Sequence, residues 1–244
     1  MYAMKEVRVI SDDQNSNECL KQLNQVSLSF SPPTTKNLYL HFFSYGIASE
    51  ISKMRSNMLN RSVLGVDNLS VYLEFVSGGS IHKLLSEYGP FSEPLIQNYT
   101  KQILSGLAYL HGRKTMHRDI KGANILVGPN REIKPYDNLF LMLSFEGSAY
   151  WMAPEVIDNT SGYSLAVDIW SLGCTILEMA TSKPPWSHYE GVAAILKIAQ
   201  SKSYPEIPSH LSEDAQSYVK LCLLRDPSIR PPASQLLHHT FIEN

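Results

Sequence analysis

Strand-forming and helix-forming patterns occupy different parts of this 244-residue sequence. "KEVRVI" (5–10) alternates apolar and polar residues, and "DNLSVYLEFV" (67–76) is rich in β-branched and aromatic residues, so both segments predict strands. From Glu93 to His111 the apolar residues recur at helical spacing. Similar patterns predict further helices at 165–180, 190–200, 212–224 and 233–238. Strands mainly in the first third and helices in the remainder predict an α+β fold, with a small sheet-rich part and a larger helical part.

Turn and cap residues predict where some of these elements begin and end. "SGG" (77–79) ends the second strand. Ser80 then has the position and the hydroxyl of an N-cap for a short helix, "IHKLLSEY". Gly112 follows the long helical pattern directly, which predicts that it is the C-cap.

Composition and charge exclude several classes of protein. The net charge is −2, so the chain has no basic excess with which to neutralise nucleic-acid phosphates. Its most apolar stretch, residues 38–48, is too short to span a bilayer, and residues 1–10 carry charges without the apolar core of a secretory signal. The cysteines are three in number and far apart, which favours buried or free thiols over a metal site. We expect no nucleic-acid binding, no membrane insertion, and a location in the cytoplasm or nucleus.

The segment "MHRDIKGANILV" (116–127) carries the strongest chemical signal in the sequence. An aspartate at position 119 can accept or orient the proton of an attacking hydroxyl, and the amide oxygen of Asn124 can ligate magnesium. Lys121, two residues past Asp119, can reach a phosphate that is being transferred. This H-R-D-x-x-x-x-N arrangement resembles the catalytic loop of protein kinases, and the lysine is typical of the serine/threonine kinases.

Three more segments strengthen this resemblance. They are "AYWMAPE" (149–155), "DIWSLG" (168–173) and "RDPSIRP" (225–231), which occur in kinases in this order and at about these intervals. The chain resembles a protein kinase from Lys5 to Asn244. Within that family, "HRDIKGANILV", "GSAYWMAPEVI" and "SLGCTILEMATSKPPWS" look very like the mitogen-activated protein (MAP) kinase kinase kinases, especially those of plants.

The resemblance implies a two-lobed kinase fold with unequal lobes. Residues 1–76 would form a small, incomplete β-rich N-lobe, and residues 77–244 a larger, mainly α-helical C-lobe. Residues 26–49, which interrupt a helical pattern and contain a Pro-Pro pair, are interpreted as an insertion. Because valine codons begin with GT and the segment is rich in residues with T-rich codons, one hypothesis is that 26–49 is a translated intron.

The spacing of motifs in the family that this chain resembles implies a second metal ligand. In the kinases that this chain resembles, a D-F-G aspartate binds magnesium thirteen residues after the catalytic-loop asparagine, and that distance ends at Asp137. Here the triplet reads "DNL", so Asn138 and Leu139 replace the phenylalanine and the glycine. A simple turn aspartate is the alternative, but the preserved spacing favours the metal ligand. The resemblance therefore implies Mg²⁺ held by Asn124 and Asp137.

The ATP-binding residues follow from the same resemblance. "YAMK" (2–5) resembles the strand that carries the phosphate-binding lysine, so Lys5 is the candidate contact to ATP. Four residues precede it, and the Gly-rich loop of the family is absent from them. If 26–49 is an insertion, Glu50 becomes the partner of Lys5. The implied hinge that meets adenine consists of Glu74, Phe75 and Val76.

Other residues have supporting roles in the kinases that this chain resembles. Glu155 is expected to pair with Arg230 in the helical lobe, and Asp168 to hold the backbone of the catalytic loop. Trp151 and Trp170 are predicted to belong to the core.

Two functions are compatible with the sequence. The first is a serine/threonine protein kinase that transfers the ATP γ-phosphate to a MAP kinase kinase and responds to an unidentified upstream activator. The second is a pseudokinase or fragment that binds proteins as a scaffold. The intact "HRDIKGAN" segment favours the first, whereas the altered "DNL" triplet and the short interval from Asp137 to Glu155 favour the second.

Overall fold

A computed structural model describes the helical part of the chain most fully. In the strands before residue 75, and at residues 134 and 135, only the backbone is described. The described residues are 2–8, 59–64, 68–74, 76–129, 131–135, 149–158, 164–201 and 204–243. The predictions for Cys19, 26–49, Glu50, Phe75 and Asp137 fall outside these ranges. The chain divides into two compact units, Met1–Phe75 and Val76–Asn244.

The smaller unit contains a three-stranded antiparallel sheet. Its strands are β1 (Tyr2–Arg8), β2 (Leu59–Leu64) and β3 (Asn68–Glu74), in the order β1-β3-β2. The predicted strands at 5–10 and 67–76 are thus present, although the first begins three residues earlier. β2 is not predicted, because "LNRSVL" has no apolar–polar alternation.

The larger unit is mainly helical and includes one small hairpin. The hairpin pairs β4 (Ile125–Val127) with β5 (Ile133–Pro135). Short 3₁₀ turns cover Gly122–Asn124 and Ala149–Trp151. The helices are α1 (Ile81–Tyr88), α2 (Glu93–Gly112), α3 (Pro154–Ile157), α4 (Ala166–Thr181), α5 (Gly191–Gln200), α6 (Glu213–Cys222), α7 (Ala233–Leu236) and α8 (Thr240–Glu243). Each predicted helix is present, and the predicted α+β class is confirmed.

The two predicted caps have different outcomes. Ser80 is confirmed as the N-cap of α1, because its hydroxyl accepts a hydrogen bond from the Lys83 backbone N–H at 3.1 Å. Gly112 is not the C-cap of α2 but its last helical residue. Lys114 adopts the left-handed conformation instead, with φ 58°, and the next N–H, that of Thr115, donates to the Leu110 carbonyl at 3.0 Å. This is a Schellman ending with lysine at the position where glycine is usual.

Helix α4 lies in the middle of the core of the larger unit. Every residue from Val167 to Ala180 is buried, as expected for a helix that is apolar on nearly all sides. Both α2 and α6 pack against it. Trp170 is completely buried and stacks on Trp186, with ring centroids 6.4 Å apart, which confirms its predicted core position. Trp151 is half-buried at the edge of this core.

Two of the predicted free thiols also lie in this core. Cys174 and Cys222 are buried and form no disulfide. Burial raises the pKa of both thiols, so they remain neutral and pack as small apolar side chains. Within the described ranges, no helix combines the length and the apolar character that crossing a lipid bilayer needs.

A buried ion pair joins the beginning of α3 to the loop before α7. The Arg230 guanidinium donates to both carboxylate oxygens of Glu155, at 2.8 and 3.2 Å. Its other N–H groups donate to the carbonyls of Leu224 and Ala166. The Arg230 side chain has no exposed surface, and that of Glu155 is 3% exposed. The pairing predicted from the sequence is confirmed, and its full set of donors explains how two charges are accommodated in the core.

We expect Arg230→Met to lower the free energy of unfolding by about 3–5 kcal/mol, because the Glu155 carboxylate would stay buried without its partner. Urea denaturation followed by circular dichroism measures this change. Lys83→Met is the matched control, because Lys83 pairs with Glu87 at 3.7 Å on the surface. The control should change stability by less than about 0.5 kcal/mol. Equal losses for the two variants would contradict the prediction.

Candidate active site

The candidate site is built on the loop between α2 and β4. Asp168, in the first turn of α4, holds the beginning of this loop. Its Oδ2 accepts from the His117 N–H at 2.8 Å and its Oδ1 from the Arg118 N–H at 2.7 Å. The side chain of His111 also reaches Oδ2, at 2.9 Å. The predicted role of Asp168 as a support for the loop backbone is confirmed.

This support accounts for an unusual backbone conformation. Arg118 has φ 72°, in the left-handed region that residues with a Cβ rarely adopt. Such a conformation costs on the order of 1–3 kcal/mol and persists only where the surroundings enforce it. Asp168, which is completely buried, accepts from the N–H of Arg118 itself. This turn lies directly before Asp119.

Asp119, Lys121 and Asn124 form one cluster. The Lys121 ammonium lies 3.0 Å from Oδ1 of Asp119, and the Asn124 amide donates to Oδ2 at 2.6 Å. The same amide nitrogen also donates to the Asp119 carbonyl at 2.9 Å. Both carboxylate oxygens therefore have a partner of complementary charge or dipole. The Asp119 side chain is 24% exposed, so an approaching molecule can still contact it.

Local folding brings Asn124 back to Asp119. The 3₁₀ turn Gly122–Asn124 begins where the Asn124 N–H donates to the Lys121 carbonyl at 2.9 Å. Hairpin β4–β5 follows, and the Val127 N–H donates to the Gly79 carbonyl at 2.8 Å. A side chain at Gly78 would collide with the carbonyl of Val127, so this glycine permits the close backbone contact.

Among the remaining predicted site residues, the structure describes the side chain of Val76 alone. Lys5 lies in the middle of β1, opposite Val71 of β3, and Glu74 ends β3. Val76 is buried in the larger unit. Glu50, Phe75 and Asp137 lie outside the described residues.

Glu178 is a site residue that the sequence reasoning missed. It lies in the last turn of α4, is buried, and accepts from the Gly122 N–H at 2.9 Å. Burial raises the pKa of its carboxyl, and the hydrogen bond from Gly122 opposes that rise. The partner is a backbone group, so no side-chain motif marks the contact. The available signal was the glycine next to Lys121, because a Cβ there would lie 2.6 Å from the Glu178 carboxylate.

Comparison with known proteins agrees with this geometry. A model of the protein kinase domain matches residues 2–242. The chain belongs to the protein kinase family. Members of this family use ATP and a divalent metal ion. The kinase-like fold predicted from the sequence, with a mainly helical larger part, is therefore confirmed.

Within the protein kinase family, this chain is similar to several mitogen-activated protein kinase kinase kinases. Mitogen-activated protein kinase kinase kinase 3 of Arabidopsis thaliana is 60% identical over 252 residues, which cover all of this chain and 38% of that protein. The mitogen-activated protein kinase kinase kinase YODA of the same plant is 52% identical over 254 residues, which cover all of this chain and 26% of that protein. Mitogen-activated protein kinase kinase kinase A of Dictyostelium discoideum is 46% identical over a stretch that covers 92% of this chain and 25% of that protein. The chain spans well under half the length of each, and the resemblance to plant members of this group is confirmed.

We expect Asp168→Asn to weaken the hold on the catalytic loop. The amide has one acceptor oxygen, so it cannot serve the N–H groups of both His117 and Arg118. A buried N–H without an acceptor costs about 1–3 kcal/mol, and the free energy of unfolding should fall by that amount. Hydrogen exchange at these two amides should become faster.

The matched control for this prediction is Asp214→Asn. Asp214 is exposed and accepts from the Thr240 hydroxyl at 2.9 Å. Its replacement should change stability by no more than about 0.5 kcal/mol. If the amides of His117 and Arg118 exchange in Asp168→Asn as slowly as in the parent protein, the carboxylate does not hold the loop.

Proposed function

We propose that this chain is an ATP-dependent serine/threonine protein kinase that phosphorylates a MAP kinase kinase. The observation that carries the proposal is the cluster in which Lys121 and Asn124 occupy the two carboxylate oxygens of the accessible Asp119. The names of the relatives support the substrate class, since they are described as mitogen-activated protein kinase kinase kinases.

Asp119 has the properties that phosphoryl transfer to a hydroxyl needs. The substrate oxygen forms a bond to the γ-phosphorus while the bond from that phosphorus to the β,γ-bridging oxygen breaks, and ADP leaves with the electron pair. The Asp119 carboxylate would orient the attacking hydroxyl and accept its proton. Lys121 would place its positive charge beside the transferred phosphoryl group, where charge accumulates. Asn124, whose amide donates to Oδ2 of Asp119, would keep the carboxylate in place for this task.

The donor set also fits a hard divalent cation, for which we propose Mg²⁺. The amide nitrogen of Asn124 is committed to Asp119, so its amide oxygen is the atom that would ligate the ion. Asp137 would supply a carboxylate ligand. When bound, the ion would neutralise negative charge on the ATP phosphates.

The proposal assigns the nucleotide contacts to the smaller unit and the following segment. Lys5 would bind the phosphates, with Glu50 as its ionic partner. The adenine would meet a hinge formed by Glu74, Phe75 and Val76. In this assignment residues 1–76 are a partial N-lobe and residues 77–244 are the C-lobe. The strand position of Lys5, in the middle of β1, supports its part in the assignment.

A transfer assay tests the proposal directly. Purified protein is incubated with ATP, Mg²⁺ and a recombinant MAP kinase kinase whose own catalytic aspartate is replaced, and phosphorylated residues are located by mass spectrometry. We expect serine or threonine phosphorylation, and a loss of at least about 100-fold in kcat for Asp119→Asn, because the proton acceptor is removed. Glu87→Gln, an exposed change on α1, should retain parent activity.

A thermal-shift experiment tests the metal and nucleotide assignment. ATP with Mg²⁺ should raise the Tm of the parent, because a ligand that binds the folded state stabilises it. The rise should be smaller in Asp137→Asn and in Lys5→Met. A cooperatively folded parent that neither transfers phosphate nor gains stability from ATP would overturn the kinase proposal and favour the scaffold alternative.

A further inference from the structure

Glu178 accepts from two separate parts of the chain with a single carboxylate oxygen. Its Oε2 accepts from the backbone N–H of Gly122 at 2.9 Å and from the indole N–H of Trp151 at 3.1 Å. Its Oε1 lies 3.5 Å from Nδ1 of His82, whose side chain is largely exposed. The Glu178 side chain itself is 2% exposed. A buried carboxylate of this kind holds whatever donates to it, because neither water nor another donor can replace the lost bonds.

The two donors come from the two segments that a kinase site has to align. Gly122 directly follows Lys121, so the bond to Glu178 fixes the peptide group that carries Lys121 to its place beside Asp119. Trp151 ends the 3₁₀ turn that lies before the A-P-E triplet, in which Ala153 is the N-cap of α3. Helix α4 holds Trp151 a second time, since the Ser171 hydroxyl donates to its carbonyl at 2.9 Å.

Gly122 and Glu178 fit each other closely. A Cβ on residue 122 would lie 2.6 Å from Oε1 and 2.8 Å from Cδ of Glu178, distances that real Cβ atoms essentially never show. Gly122 has no unusual φ, so its lack of a side chain is explained by this contact and not by backbone freedom. The contact therefore restricts position 122 to glycine for as long as Glu178 keeps this place.

We propose that Glu178 is a positioning residue that holds the Lys121–Gly122 peptide in register with Asp119 and ties it to Trp151. This inference depends on the proposed kinase function and assigns to it a residue outside the catalytic loop. Glu178 does not touch the reacting atoms in this scheme. It acts through Gly122, and its removal changes the placement of Lys121 while leaving the nucleotide contacts intact.

Replacement of Glu178 by residues of similar length separates hydrogen bonding from packing. Glutamine can place its amide oxygen where Oε2 lies and still accept from both donors, whereas methionine can accept from neither. We expect Glu178→Met to lower kcat by about 10- to 100-fold, with KM for ATP changed by less than about threefold, because misplacement without loss of binding affects the transferring step. Glu178→Gln should remain within about threefold of the parent in kcat.

The indole signals of the protein provide a readout that does not need activity. The chain has three tryptophans, so a ¹H–¹⁵N spectrum contains three indole signals, and Trp151→Phe identifies that of Trp151. In Glu178→Met this signal should move and its hydrogen exchange should accelerate, together with exchange at the Gly122 amide. Glu178→Gln should keep both groups protected. The signals of Trp170 and Trp186 serve as internal controls for an intact core.

A second pair of variants covers the case in which Glu178→Met does not fold. Gly122→Ala alone should lower kcat, because its methyl group collides with the carboxylate. Combined with Glu178→Asp, which withdraws the carboxylate by one methylene, the same alanine should regain part of the lost kcat. Losses that multiply in the double variant would contradict a direct contact between the two positions.

The outcomes distinguish this inference from the kinase proposal. If the parent transfers no phosphate, the kinase proposal fails, whereas protection of Trp151 and Gly122 still reports whether Glu178 holds them. If the parent is active and Glu178→Met retains its kcat, Glu178 is not a positioning residue. If Glu178→Gln loses as much kcat and as much Tm as Glu178→Met does, Glu178 has a purely structural role and the inference is overturned.

Discussion

Two carboxylates that one buried helix carries into the core determine the path of the catalytic loop. Asp168 and Glu178 both belong to α4, and both are almost completely shielded from water. An ionised carboxylate in such a place costs several kcal/mol unless hydrogen bonds replace its hydration. Backbone N–H groups at residues 117, 118 and 122 are among the donors that do so. The N–H groups of the loop therefore take the place of water around the two carboxylates. The position of the loop follows from these hydrogen bonds.

The distance between the two anchors leaves the loop little freedom. Asp168 and Glu178 are ten residues apart, which is about 15 Å along a helix axis. The stretch from Arg118 to Gly122 covers at most about 13–14 Å when fully extended. Lys121 is indeed extended, with φ −165° and ψ 160°. A segment held at both ends over such a distance has few conformations, and this restricts where Asp119 and Lys121 can lie.

The site residues that a sequence pattern alone indicates lie close together in the chain, whereas the support from Asp168, 50 positions from Arg118, followed from the family resemblance. Asp119, Lys121 and Asn124 lie within six residues, so their pattern is readable before any folding is known. Glu178 contacts Gly122 across 56 positions and through a backbone N–H, so it leaves only a glycine as a trace. The end of α2 was predicted at the wrong residue for a related reason. Lys114 takes the left-handed conformation that local propensity assigns to glycine. A pattern of neighbouring side chains can be read before the fold is known, whereas a distant side chain that binds a backbone group is predicted only where a known family supplies it, as for Asp168.

The two anchors differ in what stabilises their charge. Asp168 lies in the first turn of α4, where the helix dipole favours a negative charge, whereas Glu178 lies in the last turn, where the dipole opposes one. Burial raises the pKa of Glu178, and the donors that oppose this rise include Gly122 and Trp151. The charge of Glu178 therefore depends on these donors. A shift of residues 149–151 away from α4 would remove one of those partners and weaken the hold on Gly122. The position of Lys121 is in this way linked to that of the A-P-E segment.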